Sequence, residues 1–210
     1  MFCTLCRLRV QMLFMSKCSK EMSDLGWMRI MINWFKINSI SYGWFKFCIG
    51  SCLCEASDFL GYDMPQKFLS KVIRAIEENT EEWLYLMNEP GALMLHIYRK
   101  DEKVHFVGYG LHAASDELNR EDESAEREKC EQCLFAFDAV IQNVVDGIVT
   151  EFSLYENGNG RMLYEKHWGG FPVKEFEELK EFAFQLQKNA GKYNGLLCTT
   201  FLERRYIRKK

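Results

Sequence analysis

Residues 81–110, EEWLYLMNEPGALMLHIYRKDEKVHFVGYG, decide the fold. Glu81–Met87 is dense in Trp, Tyr, Leu and Met, side chains that suit a pleated, half-buried surface. Asn88-Glu89-Pro90-Gly91 supplies a turn, because Pro fixes φ and Gly tolerates φ > 0. Ala92–Lys100 reads as a second strand, Asp101-Glu102 between Lys100 and Lys103 as a short charged turn, and Val104–Gly110 as a third strand. The stretch predicts a three-stranded antiparallel meander.

If both turns are even-numbered, the pleat sorts the side chains onto two faces. Leu84, Leu86, Leu93, Leu95, Ile97, Val104 and Phe106 form a core face. Trp83, Tyr85, Met94, His96, Tyr98, His105, Val107 and Tyr109 form the other, which is aromatic with polar tips. Such a face suits either partial cover by amphipathic segments or a recognition surface, and partial cover is the expectation because large exposed apolar patches are uncommon.

Before the meander the pattern is strand-like from Arg29. Ile30, Ile32, Trp34 and Ser39–Gly50 predict two short strands with a turn near Lys36-Ile37-Asn38. Phe45, Phe47 and Ile49 share one face, with Trp44, Lys46 and Cys48 opposite; Cys52–Glu55 is a candidate third strand. The period then changes. Phe68, Leu69, Val72, Ile73 and Ile76 recur at helical spacing, with Asp63 as candidate N-cap, Pro65 in the first turn, and Lys67, Lys71, Arg74 and Glu77 outside.

After the meander, Asp116–Glu131 holds eight acidic residues against three basic ones and predicts a solvated loop or frayed helix. Leu134, Phe137, Ile141, Val144, Val145 and Ile148 predict a helix over about 137–152, although residues 130–136 also fit a last strand feeding it. Asn157-Gly158-Asn159-Gly160 reads as a turn. Phe171-Pro172-Val173 opens a final helix with Phe176, Leu179, Ala183 and Leu186 inward and Glu175, Glu178 and Lys188 outward, Phe171 acting as a staple on its first turn.

Composition narrows the function classes. At 210 residues, 48% apolar and 27% charged, the chain suits one well-buried soluble domain, so that is the expectation. A net charge of −3 argues against a nucleic-acid binder, and the absence of a run of about 18 apolar residues argues against a spanning helix. Nine cysteines, an odd number with six before residue 55, do not form an evenly stapled secreted scaffold, and MFCTLCRLRVQMLFMSKCSK lacks a signal-peptide pattern. A reducing cytoplasm is expected. Residues 1–27 read as a poorly structured tail or extension, 28–195 as a single α+β domain, and 196–210 as a basic tail.

Candidate sites are few. Cys3/Cys6 and Cys130/Cys133 lie too far apart in sequence for a compact two-knuckle zinc ribbon, and Cys52 and Cys54 share a strand face with no evident partner pair. Acidic neighbours on both sides of Cys130-Glu-Gln-Cys133 would raise its thiol pKa values, against redox catalysis. His96 and His105 are diagonal neighbours on the aromatic face, but no Asp, Glu, Cys or Ser shares that face within the three strands. His112 carries no motif, His167 is placed to seat the last helix, and Glu77, Glu78, Glu81 and Glu82 read as a solvated helix end. Nucleophile-elbow, Walker, dinucleotide and zincin motifs are absent from the sequence.

Three features carry a resemblance: the aromatic strand Tyr42–Ile49, the acidic helix end before Trp83, and the His167-Trp-Gly-Gly-Phe-Pro-Val173 approach to an acidic helix. With the strand–helix–meander–helix order, the segment from about Ile40 to Gln187 resembles a loose group of small bacterial α+β proteins, some encoded beside polymorphic or contact-dependent toxins as immunity proteins. The resemblance implies an acidic surface that caps a partner, and the carboxylates of 116–131 permit it.

The expectation is therefore an α+β domain, a mostly antiparallel sheet with about three helices, that acts as a cytoplasmic, non-enzymatic interaction protein of immunity type without a cofactor. Its partner would be a protein, neither nucleic acid nor membrane. The interaction candidates are Trp83, Tyr85, His96, Tyr98, His105 and Tyr109 on the sheet, and Glu121, Asp122 and Glu123 in the acidic segment. The alternative is a small enzyme or metal site around His96 and His105.

Overall fold

The computed structural model describes residues 34–57, 63–88, 91–111, 130 and 132–190. The expected tails 1–27 and 196–210, Ile30, Ile32, the Cys3/Cys6 pair, His112, and the acidic segment 116–131 apart from Cys130 lie outside them, and with them Glu121, Asp122 and Glu123. The chain is α+β, with seven strands and four helices among the described residues. All paired strands are antiparallel, and they form two sheets where the sequence suggested one.

The first sheet is β1 (Phe35–Ser41), β2 (Trp44–Ile49) and β3 (Cys52–Ser57) in that order. The expected turn at Lys36–Asn38 is instead mid-strand. The chain reverses at Tyr42-Gly43, both with positive φ, 51° and 75°, as a two-residue hairpin loop with right-handed strand twist requires. Asn38, which looked like a turn residue, sits where the β1–β2 register shifts, a bulge. The buried Glu151 carboxylate accepts the adjacent Ile37 N–H at 2.9 Å. Phe45, Phe47 and Ile49 face the core as expected, and Cys52 and Cys54 share that face.

Helix α1 (Met64–Glu77) starts as read: Asp63 accepts from the Gln66 N–H at 3.1 Å, and Pro65 lies in the first turn. Its far end is held by Arg99, whose guanidinium donates to the Ile76 carbonyl at 2.9 Å. Here the solvated reading fails for Glu82. It is 4% exposed, accepts from Thr80 Oγ1 at 2.8 Å, and meets Arg74 at 3.1 Å and Lys71 at 3.5 Å. These cations join α1 to the start of the meander.

The second sheet runs β4 (Glu82–Asn88), β5 (Gly91–Lys100), β6 (Lys103–Leu111) and β7 (Gln132–Val140). Asn88 pairs with Gly91 and Lys100 with Lys103, so the expected sorting of faces holds; Glu89 and Pro90 of the expected first turn lie outside the described residues. Leu134 and Phe137 belong to β7, not to a helix, and α2 begins only at Ile141 (Ile141–Ser153). Asn157–Gly160 is also corrected. It opens a helix, α3 (Gly158–His167), with Asn157 at the cap position. Helix α4 (Val173–Ala190) begins as read, and Phe171 packs edge-on to Phe176 at 5.4 Å.

One core cluster takes the inner side chains of both sheets and of all four helices. At its centre Trp34 stacks on Phe137 (5.3 Å, 13°) and donates through Nε1 to the Asn143 carbonyl of α2 at 2.8 Å. Since strand side chains alternate, burying Leu84, Leu86, Leu95, Ile97, Val104 and Phe106 here forces the aromatic set onto the opposite face.

Candidate functional site: the aromatic face of the second sheet

Three cross-strand rows build this face. Tyr85 pairs with Met94, Met94 with Tyr109, and Tyr109 with Cys133. Trp83 pairs with His96, His96 with Val107, and Val107 with Ala136. Tyr98 pairs with His105, and His105 with Asp138. His96 and His105 are thus diagonal neighbours, as read from the sequence. The rings form a ladder: Trp83 on His96 at 4.0 Å and 6°, His96 tilted against Tyr98 at 4.6 Å, and Tyr98 on His105 at 4.8 Å and 8°. Tyr109 flanks Trp83 at 5.9 Å.

Carboxylates reach both histidines from outside the three strands. Glu81, just before β4, places Oε2 3.3 Å from His96 Nε2. On the fourth strand Asp138 stands opposite His105 and is bound by Lys103 at 2.8 Å. Burial lowers the His105 pKa; the Asp138 charge partly offsets this, whereas Lys103 and Lys100 add to it. Burial, then Glu81 and Asp138, raise the pKa of Tyr98. Sequence reading missed Asp138 because the β7 stretch was given partly to a helix. The signal was there: buried Phe135, Phe137 and Ala139 alternate at period two with half-buried Ala136 and Asp138.

The face is not uniformly open. Tyr85 and Met94 are buried with Leu111 in a second cluster, against which Trp83, Met87, Ala92, Tyr109 and Cys130 pack. Tyr85, at 3% exposure, is withdrawn from the candidate interaction residues: it is a packing residue. Trp83, Tyr85, His96 and Tyr109 each also make a further interaction. Trp83, His96, Tyr98, His105 and Tyr109 are all partly exposed; the end of the ladder away from that second cluster is Tyr98 and His105, beside Lys103 and Asp138.

No family model, curated protein or solved structure matches the chain. The geometry alone carries the functional argument.

Other candidates resolve simply. Cys133 lies in a strand and burial raises its thiol pKa, while its hydrogen bond to the Phe135 carbonyl lowers it; the acidic neighbours lie outside the described residues. Cys54 is buried, which pushes its thiol strongly up. His167 seats the β1–β2 hairpin: its carbonyl accepts from the Gly43 N–H at 3.3 Å and its ring meets Tyr42. Among the described residues no group of three or more His, Cys, Asp or Glu is arranged to hold a metal ion, and no helix is long and apolar enough to cross a membrane.

Proposed function

We propose that this chain is a cytoplasmic, non-enzymatic protein-interaction domain that works by covering a partner protein, as immunity proteins do. The observation that supports this reading is the partly exposed end of the ladder that lies away from the second buried cluster. Tyr98 and His105 stack on adjacent strands of a rigid sheet, with the Lys103–Asp138 pair beside them. Rings held in this way cost little entropy on docking, and a charged rim favours fast, oriented association. The test is capture by the full chain from its own host's lysate at low and at high salt. One stoichiometric protein, weakened as salt rises, is the expected result; a blank at both salts sinks the proposal.

A second reading, acid–base chemistry at His96 and His105, is favoured by one specific contact, Glu81 Oε2 3.3 Å from His96 Nε2. That contact puts a carboxylate and an imidazole, the two groups general acid–base chemistry uses, next to each other. The Lys103–Asp138 pair speaks against a matching role at His105, because it occupies the second carboxylate. Turnover on ester and phosphodiester probes that disappears in H96Q and H105Q would favour this reading over the first.

A further inference from the structure

The sequence holds three Asn-Gly pairs, Asn157-Gly158, Asn159-Gly160 and Asn194-Gly195, the last of them outside the described residues. In such a pair the short amide side chain reaches the backbone nitrogen that follows it, and glycine has no Cβ to stand in the way. The first two pairs are neighbours in sequence but not in conformation, and the fold holds them very differently.

Asn157 is the cap residue of α3, with an extended backbone (φ −139°, ψ 164°), and its side chain makes no cap hydrogen bond. Both Asn157 and Gly158 are exposed. Gly158 has φ 60°, and a Cβ added there would have no neighbour within 4 Å. The Asn157 carbonyl accepts from the Arg161 N–H at 3.3 Å, a long hydrogen bond. Closing a ring between the Asn157 side chain and the Gly158 nitrogen therefore gives up one weak bond and displaces no packing. The second pair is held on both sides. Asn159 lies in the first turn of α3, so a ring there requires that turn to unwind. Gly160 packs so tightly that a Cβ would collide with the Leu154 carbonyl, which leaves its backbone no room to swing.

We propose that Asn157-Gly158 is a site of spontaneous deamidation, selected by the fold over Asn159-Gly160. The Gly158 nitrogen attacks Cγ of Asn157. The N–Cγ bond forms, the Cγ–Nδ2 bond breaks, and ammonia leaves with the proton of the attacking N–H. Water then opens the five-membered imide. Attack at Cγ yields an aspartate; attack at the backbone carbonyl yields an isoaspartate, with one more carbon in the main chain. Either product takes the net charge from −3 to −4, since −3 − 1 = −4. The aspartate puts a carboxylate at the cap, where it accepts from the first N–H groups of α3 and meets the positive end of the helix dipole. The isoaspartate moves the cap carbonyl away from the Arg161 N–H. The site uses none of the ladder residues, so it is independent of the partner-binding reading.

The test incubates the full chain in mildly alkaline buffer, samples it over time, and locates each converted residue by fragmentation mass spectrometry. In the folded chain Asn157 should convert at least about tenfold faster than Asn159, because a helical hydrogen bond and the Gly160 packing must be undone at the second pair. In urea the two rates should converge, since each asparagine is then followed by glycine in an unfolded chain. N157S keeps a capping side chain without the amide, and in the folded state it should lose the fast conversion and leave Asn159 slow. An Asn157 that stays intact, conversion at Asn159 as fast as at Asn157, a ratio unchanged by urea, or a fast phase that survives in N157S would each overturn the proposal.

Discussion

Gly147→Ala is a substitution on which local and tertiary reasoning give opposite signs. Gly147 lies inside α2, where alanine should stabilise by about 0.5–1 kcal/mol. Yet a Cβ at this position would overlap the Trp34 indole nitrogen and come within 3.0 Å of Cδ1. Trp34 has little room to yield, since it is 3% exposed, stacks on Phe137 and lies 5.2 Å from Phe106. Overpacking of this kind costs about 1–3 kcal/mol. If the indole withdraws from the Asn143 carbonyl, a buried N–H left unpaired costs about 1–3 kcal/mol more. The tertiary terms win, and the net loss should be about 1–5 kcal/mol, at about 2–4 °C of Tm per kcal/mol. Denaturant unfolding of G147A, W34F and the double variant measures it, and the G147A penalty should shrink in the W34F background. A G147A protein as stable as the parent, or more so, would refute the account of this packing.

Other expectations concern charge. Burial lowers the His105 pKa below its unfolded value near 6.5, so the unfolded chain binds the proton more readily. The stability contributed by neutral His105 is therefore present above that value and lost as pH falls through it, and H105Q should show a shallower fall in Tm between about pH 7 and pH 5. E82A should destabilise by about 1–3 kcal/mol in urea unfolding, because the buried carboxylate that accepts from Thr80 and joins Lys71 and the half-exposed Arg74 to the meander is lost. Charge reversal at Glu121, Asp122 and Glu123 should slow association with a basic partner and flatten its salt dependence in stopped-flow mixing. Unchanged salt dependence would remove that segment from the interface.

Elements whose signal is local could be read from the sequence. Asp63 with Pro65 announced α1, and Phe171 with Phe176 announced α4, because caps and staples are short-range devices. The meander's faces followed from two even loops. Misreadings occurred where two structures share one signal. Asn38 suits a turn or a bulge, and only the pairing of β1 with β2 selects the bulge. Leu134 and Phe137 fall at helical spacing from Ile141, but the edge of β6 was open, and pairing with it outweighs propensity. The site was legible as far as the three strands reached. Asp138 entered only with β7, and the burial of Tyr85 depends on what packs over the face, which alternation does not encode.

The most direct test of the interaction reading compares two baits, the wild-type chain and Y98A/H105A, in parallel capture from the same host lysate. Circular dichroism first establishes that the variant is folded. Tyr98 and His105 are half-buried and outside both buried clusters, so the fold should survive. A stoichiometric protein held by the wild type and lost by the variant is the predicted result. Equal retention by both baits, or no partner for either, would contradict the assignment of this face to a protein partner.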